Sequence, residues 1–166
     1  MAKLAACTGC GAMVEDLPGK PHPYLGASAG CWQLYGRVLA REYEDYADLR
    51  DTHLYAVDAY SLQHPGTPER RTIQSVSLHL VRLYLALERG LRAPEIMVAT
   101  RKLLRHRSEF LWLTPPTPNG TVTVADALAA KDVEEHQQAV VAWAENVWAA
   151  WAPHHAYAAA LAAKCR

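Results

Sequence analysis

The sequence predicts a mainly α fold: a single-domain bundle of about five helices carrying an N-terminal zinc knuckle. Three observations predict it. Apolar residues recur at helical spacing through most of the chain, with Pro, Gly, Asp and Thr marking the breaks. A chain of 166 residues that is 51% hydrophobic can bury one core and is short for two. Near its start stands Cys7-Thr8-Gly9-Cys10-Gly11, a pair of thiols spaced to converge on one ion. The expected organisation is one domain over 1–166, with segment 1–31 as the knuckle packed on a helical body at 32–166.

In chain order, the knuckle comes first, and its glycines permit a tight turn. Two thiolates need two further ligands. His22 stands in a Pro-His-Pro setting with little helical character, and Cys31 follows it. Cys7, Cys10, His22 and Cys31 thus form a Cys3His set, compact in sequence, as a structural zinc site wants. Thiolate and imidazole preferences do not choose among histidines, so His64 is the principal substitute fourth ligand, with His79 and Cys165 behind it. The other reading of Cys31 is a buried thiol opening the first helix. No strand is read before the pair, which speaks against a thioredoxin-like redox role.

Ser28 opens a helix expected to run to about Leu49, with Cys31, Tyr35, Val38, Glu42, Tyr46 and Leu49 along one side. Glu42 on that face calls for an arginine, a histidine or a metal as partner. Asp51 or Thr52 then caps a second helix. The stretch from Thr52 to Gly90 reads as a helical hairpin, turning at Gln63-His64-Pro65-Gly66-Thr67-Pro68 with Thr67 as N-cap and Pro68 at the first helical position. His53 and His79 stand equally far from Gly66, so two regular antiparallel helices bring them level, near enough to share an ion, a water or a substrate group. His64 belongs at the hairpin's end, within approach of the knuckle. On helical phase, Asp58 faces away from His53.

Gly90 closes the hairpin and Pro94 starts a helix to about His106. Phe110 to Leu113 followed by Thr114-Pro-Pro-Thr-Pro-Asn-Gly120 reads as an ordered loop, since its apolar residues need burial and its prolines forbid helix. Thr123-Val-Ala-Asp126 resembles a capping box before a short helix. The last long helix, Asp132 to Trp151, puts His136 on its buried side, and Pro153 ends it before an alanine-rich segment reaching Cys165.

The formal charge is zero, with 17 basic and 17 acidic residues, so nothing global draws the chain to nucleic acid or an anionic membrane. Basic residues do outnumber acids between Glu69 and Arg107, a face that offers a protein- or nucleic-acid-binding module as one reading. The N-terminus has no apolar run of signal-peptide length, and no stretch is long and apolar enough to span a bilayer. A cytoplasmic location is expected, where four cysteines serve as ligands or thiols before disulfides. No Gly-rich phosphate loop, nucleophile elbow or HExxH helix is present.

Several motifs taken together resemble a family of small, uncharacterised bacterial helical proteins classed as a domain of unknown function. They are the CxxCG knuckle, the segment Pro23 to Trp32, Val57-Asp-Ala-Tyr-Ser-Leu-Gln-His-Pro-Gly66, Gln74 to Leu80 and the run Trp143 to Trp151. The resemblance covers nearly the whole chain and assigns no activity. It adds weight to Cys7, Cys10, His22, Cys31, His53, Asp58, Gln63, His64 and His79, which fall in or beside those motifs. In architecture alone, His53, His79 and His136 also imitate the three-histidine metal site of zinc-dependent DinB-like four-helix bundles.

The favoured function is a cytoplasmic zinc-binding protein whose metal is mainly structural. The alternatives are a metal-dependent, hydrolase-like enzyme drawing on His53, His79, His136 and Asp58, and a binding module using the basic 70–107 face. A small molecule, a protein or a second copy of the chain remain open as partners; specific nucleic-acid binding and membrane attachment are not expected.

Overall fold

The computed structural model describes residues 3–165; residues 1–2 and 166, which the expected domain includes, lie outside the described residues. Among the described residues the chain is mainly helical, with seven α-helices and one two-stranded sheet. Five of the helices have eleven residues or more: α1 Ala29–Glu44, α2 Tyr46–Gln63, α3 Arg70–Leu83, α4 Ala93–Leu103 and α6 Val133–Ala150. Two are shorter, α5 Val124–Ala129 and α7 His155–Ala162.

The knuckle is the tip of a β-hairpin. β1 Leu4–Ala6 pairs antiparallel with β2 Met13–Glu15, placing Leu4 opposite Glu15 and Ala6 opposite Met13. Three-residue strands leave no alternation for the sequence to show. Inside the turn, Cys7 N–H donates to Ala12 O at 2.8 Å and Gly11 N–H to Cys7 O at 2.9 Å. Gly11 adopts φ 77°, a conformation that favours glycine.

α1 leans on this hairpin so closely that a Cβ on Gly30 would lie 2.1 Å from Glu15 O. It buries Gly30 and, from the expected stripe, Cys31, Tyr35, Val38 and Glu42, whereas Tyr46 is exposed and lies with Leu49 in α2. The helix does not reach Leu49. Asp45 ends α1 and begins α2, and its carbonyl receives the Asp48 and Leu49 N–H groups. Asp51 and Thr52, expected to cap the second helix, lie within it. Asp51 instead caps α4 in space: it accepts from Ala93 N–H at 2.6 Å and pairs with Arg92.

α2 is the central rod. It packs against α1, α3, α4 and α6, and nearly every residue from Asp58 to Gln63 is buried. Burial on all sides explains why no single apolar stripe describes it. α3 starts at Arg70, two residues after the expected Pro68, and widens into a π-turn over Tyr84–Glu88 before Gly90, at φ 65°, closes it. The proline-rich loop is pinned down. Asn146 Oδ1 accepts from Thr121 and Val122 N–H, Gln63 Nε2 donates to Asn119 O and Val122 O, and Trp151 Nε1 donates to Asn119 Oδ1. The other polar atom of the Gln63 side chain, Oε1, accepts from Trp143 Nε1 at 2.8 Å. The C-terminal end of α2 is therefore held rigidly by loop and α6 together. None of the described helices is long and apolar enough to cross a membrane.

Candidate metal centre

Four donor atoms converge where the hairpin tip, the start of α1 and the end of α2 meet. Cys7, Cys10, Cys31 and His64 place one ligand atom each within 4.8 Å of all the others. Cys7, Cys31 and His64 are buried and Cys10 is half-buried. Cys10 Sγ lies 3.8 Å from Cys31 Sγ, and His64 Nε2 lies 3.5 Å from Cys7 Sγ and 3.4 Å from Cys31 Sγ. In a tetrahedron with Zn–S near 2.3 Å and Zn–N near 2.0–2.1 Å, sulfurs stand roughly 3.8 Å apart and each sulfur stands roughly 3.6 Å from the nitrogen. The observed spacings are those of a coordination shell.

The imidazole is aimed by the helix that carries it. His64 Nδ1–H donates to Tyr60 O at 2.7 Å, which leaves the Nε2 lone pair facing the three sulfurs. Tyr60 also stacks near this ring and donates its hydroxyl to Cys31 Sγ at 3.6 Å. Behind it, Tyr35 stacks flat on Tyr60 with ring centroids 3.8 Å apart. Residues 24–27 bring α2's end into place: Leu25 bridges Pro65, and Gly26 N–H donates to His64 O at 2.9 Å. Glycines permit this closeness. A Cβ on Gly9 would stand 2.3 Å from His64 Cδ2, and one on Gly26 would stand 2.7 Å from Pro65 O.

The electrostatics match a set of coupled thiols and one base. Hydrogen bonds from Cys10 and then Cys31 hold the Cys7 thiol well below its ordinary range, while Cys10 and then Cys7 push Cys31 up. Burial works against a charged His64, but Cys10 and Cys7 outweigh it and raise the ring to about 9. Burial above all, and then Cys31, pushes the Tyr60 phenol up, so it remains a donor to sulfur. Three sulfurs and a neutral imidazole suit a borderline-soft dication such as zinc, and four protein donors fill a tetrahedral shell completely.

His22 stands outside the cluster, in contrast to the expected set. Its Nδ1 accepts from Leu25 N–H at 3.3 Å, and its ring packs against Tyr24 and Trp32. Burial and Lys20 hold its pKa below the ordinary value. His22 caps the turn leading to Leu25, which bridges Pro65 beyond the end of α2, and the imidazole at the cysteines comes from His64, far away in sequence. Cys165 is buried elsewhere, donating to Leu161 O.

His53 and His79 do not face one another either. His53 Nδ1 bonds Glu42 Oε2 at 2.9 Å, and His136 Nε2 takes the other oxygen at 3.0 Å, so the inward carboxylate of α1 is shared by two imidazoles. His79 Nδ1 bonds Asp58 Oδ1 at 2.7 Å, and Arg82 Nε approaches the same oxygen at 3.1 Å. Each buried carboxylate thus captures its own histidines, which is how desolvated charge is compensated. His53, His79 and His136 form no common centre. Glu42, whose inward position called for such a partner, holds His53 and His136, and Asp58, expected to face away from His53, holds His79 apart from them.

Comparison with known proteins yields a family but no activity: no curated protein matches the chain, and no solved structure does. A family model described as "Family of unknown function (DUF5946)" matches residues 5–152, a span holding all four clustered ligands and both buried carboxylates. The chain belongs to that family.

Proposed function

We propose that the chain is a zinc-binding helical protein whose metal is structural, held by Cys7, Cys10, Cys31 and His64 in a reducing cytoplasm. The observation that carries this reading is the convergence of four donor atoms within 4.8 Å of one another. A structural role is supported by the completeness of the shell, since a catalytic zinc keeps a position open for water or substrate. It is also supported by where the ligands come from. A hairpin of three-residue strands has little of its own to hold it, and one ion staples it to the start of α1 and the end of α2.

The test is metal analysis with metal removal. The purified protein should carry about one zinc per chain, and chelation, Cys7→Ser or Cys10→Ser should lower the melting temperature as the ion is lost. Unchanged thermal stability after complete metal loss would contradict the structural role. Two ions per chain would favour the metal-dependent enzyme instead.

A further inference from the structure

A second cluster of groups, remote from the cysteines, has the features of a ligand site. A cleft of about 320 Å³ opens beside α3 and is lined by Tyr24, Arg71, Gln74, Ser75 and His79 among others. Gln74 also lines an adjoining cavity of about 840 Å³, to which Arg70, Arg105 and Arg107 contribute. Both volumes fall in the range of small-molecule sites. No acidic residue lines either one, and none of these four arginines has an ion-pair partner among the described residues.

His79 separates this cleft from an ordinary basic face. Its Nδ1 is fixed by Asp58, a carboxylate with no solvent exposure that Arg82 also holds, and its Nε2 has no protein partner. Asp58 Oδ2 is buried with no hydrogen-bond partner at all. A desolvated carboxylate that fixes an imidazole on Nδ1 leaves Nε2 as the nitrogen available to a ligand. Arg71 and Ser75, two turns and one turn before His79 on α3, line the same opening.

We infer that this cleft binds a small phosphomonoester dianion, with Arg71 gripping the phosphate oxygens, Ser75 and Gln74 donating to them, and the Asp58-buttressed His79 donating through Nε2. Guanidinium forks match phosphate geometry, and a dianion best answers an arginine-rich rim with no acid in it. The inference does not depend on the metal reading, because none of the four clustered ligands lines either cavity.

Calorimetric titration of the purified, metal-loaded protein with inorganic phosphate, phenyl phosphate and a single-stranded oligonucleotide, at matched ionic strength, tests it. Phenyl phosphate should saturate one site per chain and move the His79 ring-nitrogen resonances in a long-range ¹H–¹⁵N spectrum of the unmutated protein. His79→Gln and Arg71→Gln should each weaken binding about tenfold or more while leaving the zinc content unchanged. No saturable binding of phosphate or phenyl phosphate, or unmoved His79 resonances on saturation, would overturn it. So would oligonucleotide binding that is tighter than that of phenyl phosphate, falls steeply with salt and ignores His79→Gln.

Discussion

Replacing His64 by alanine removes the only nitrogen donor from the cluster, so zinc affinity should fall by more than about 100-fold, whereas His22→Ala should leave it unchanged; competition with a chromophoric chelator measures both. Gly9→Ala leaves all four ligands intact but drives a Cβ to 2.3 Å from His64 Cδ2 and 2.9 Å from Gln63 O. The backbone carbonyl has no room to yield, so we expect a loss of about 2 kcal/mol or more in stability by denaturant unfolding, together with weaker zinc binding. The three cysteines were legible because their spacing is local and their chemistry narrow. The fourth ligand was not, because composition makes His22 and His64 equivalent and only the Leu25–Pro65 pairing decides between them. The one signal in the sequence was position: His64 stands between a helix end and Pro65-Gly66, at the hairpin's tip, where a side chain can leave its helix.

At the scale of elements, the polar contacts of α2 fix where its ends go. Gln63 commits both amide hydrogens to the loop and its carbonyl oxygen to Trp143, so Gln63→Ala should cost about 2–4 kcal/mol and expose the amides around residues 119–122 to hydrogen exchange. Protection unchanged there would show that Asn146 alone holds the loop. Glu42→Ala removes the carboxylate shared by His53 and His136 and should cost about 3 kcal/mol or more in denaturant unfolding. The stripe of α1, the capping box at Thr123 and the buried side of α6 follow from their periodicity and caps. The junction at Asp45 did not, since no Gly or Pro marks it and Asp51, which reads as a cap, serves α4 from within α2. His53 and His79 were placed by hairpin counting, which gives the height of a residue along its helix and says nothing of which carboxylate its ring will find.

For the molecule as a whole, the ion and the fold should be linked through protons. In the metal-free protein His64, raised to about 9, and Cys31, pushed above its ordinary range, both hold protons at pH 7. A metal must displace them to bind. Zinc affinity should therefore rise as pH increases from 6 toward 9, with protons from His64 and Cys31 released on binding at neutral pH; a flat profile would contradict the assigned ligands. The most direct test of the centre is X-ray absorption at the zinc edge of the purified protein. We expect about three sulfur neighbours near 2.3 Å and one nitrogen near 2.0–2.1 Å, with the nitrogen contribution lost in His64→Ala and kept in His22→Ala. A shell of nitrogen and oxygen alone, or a nitrogen that survives the loss of His64, would contradict it.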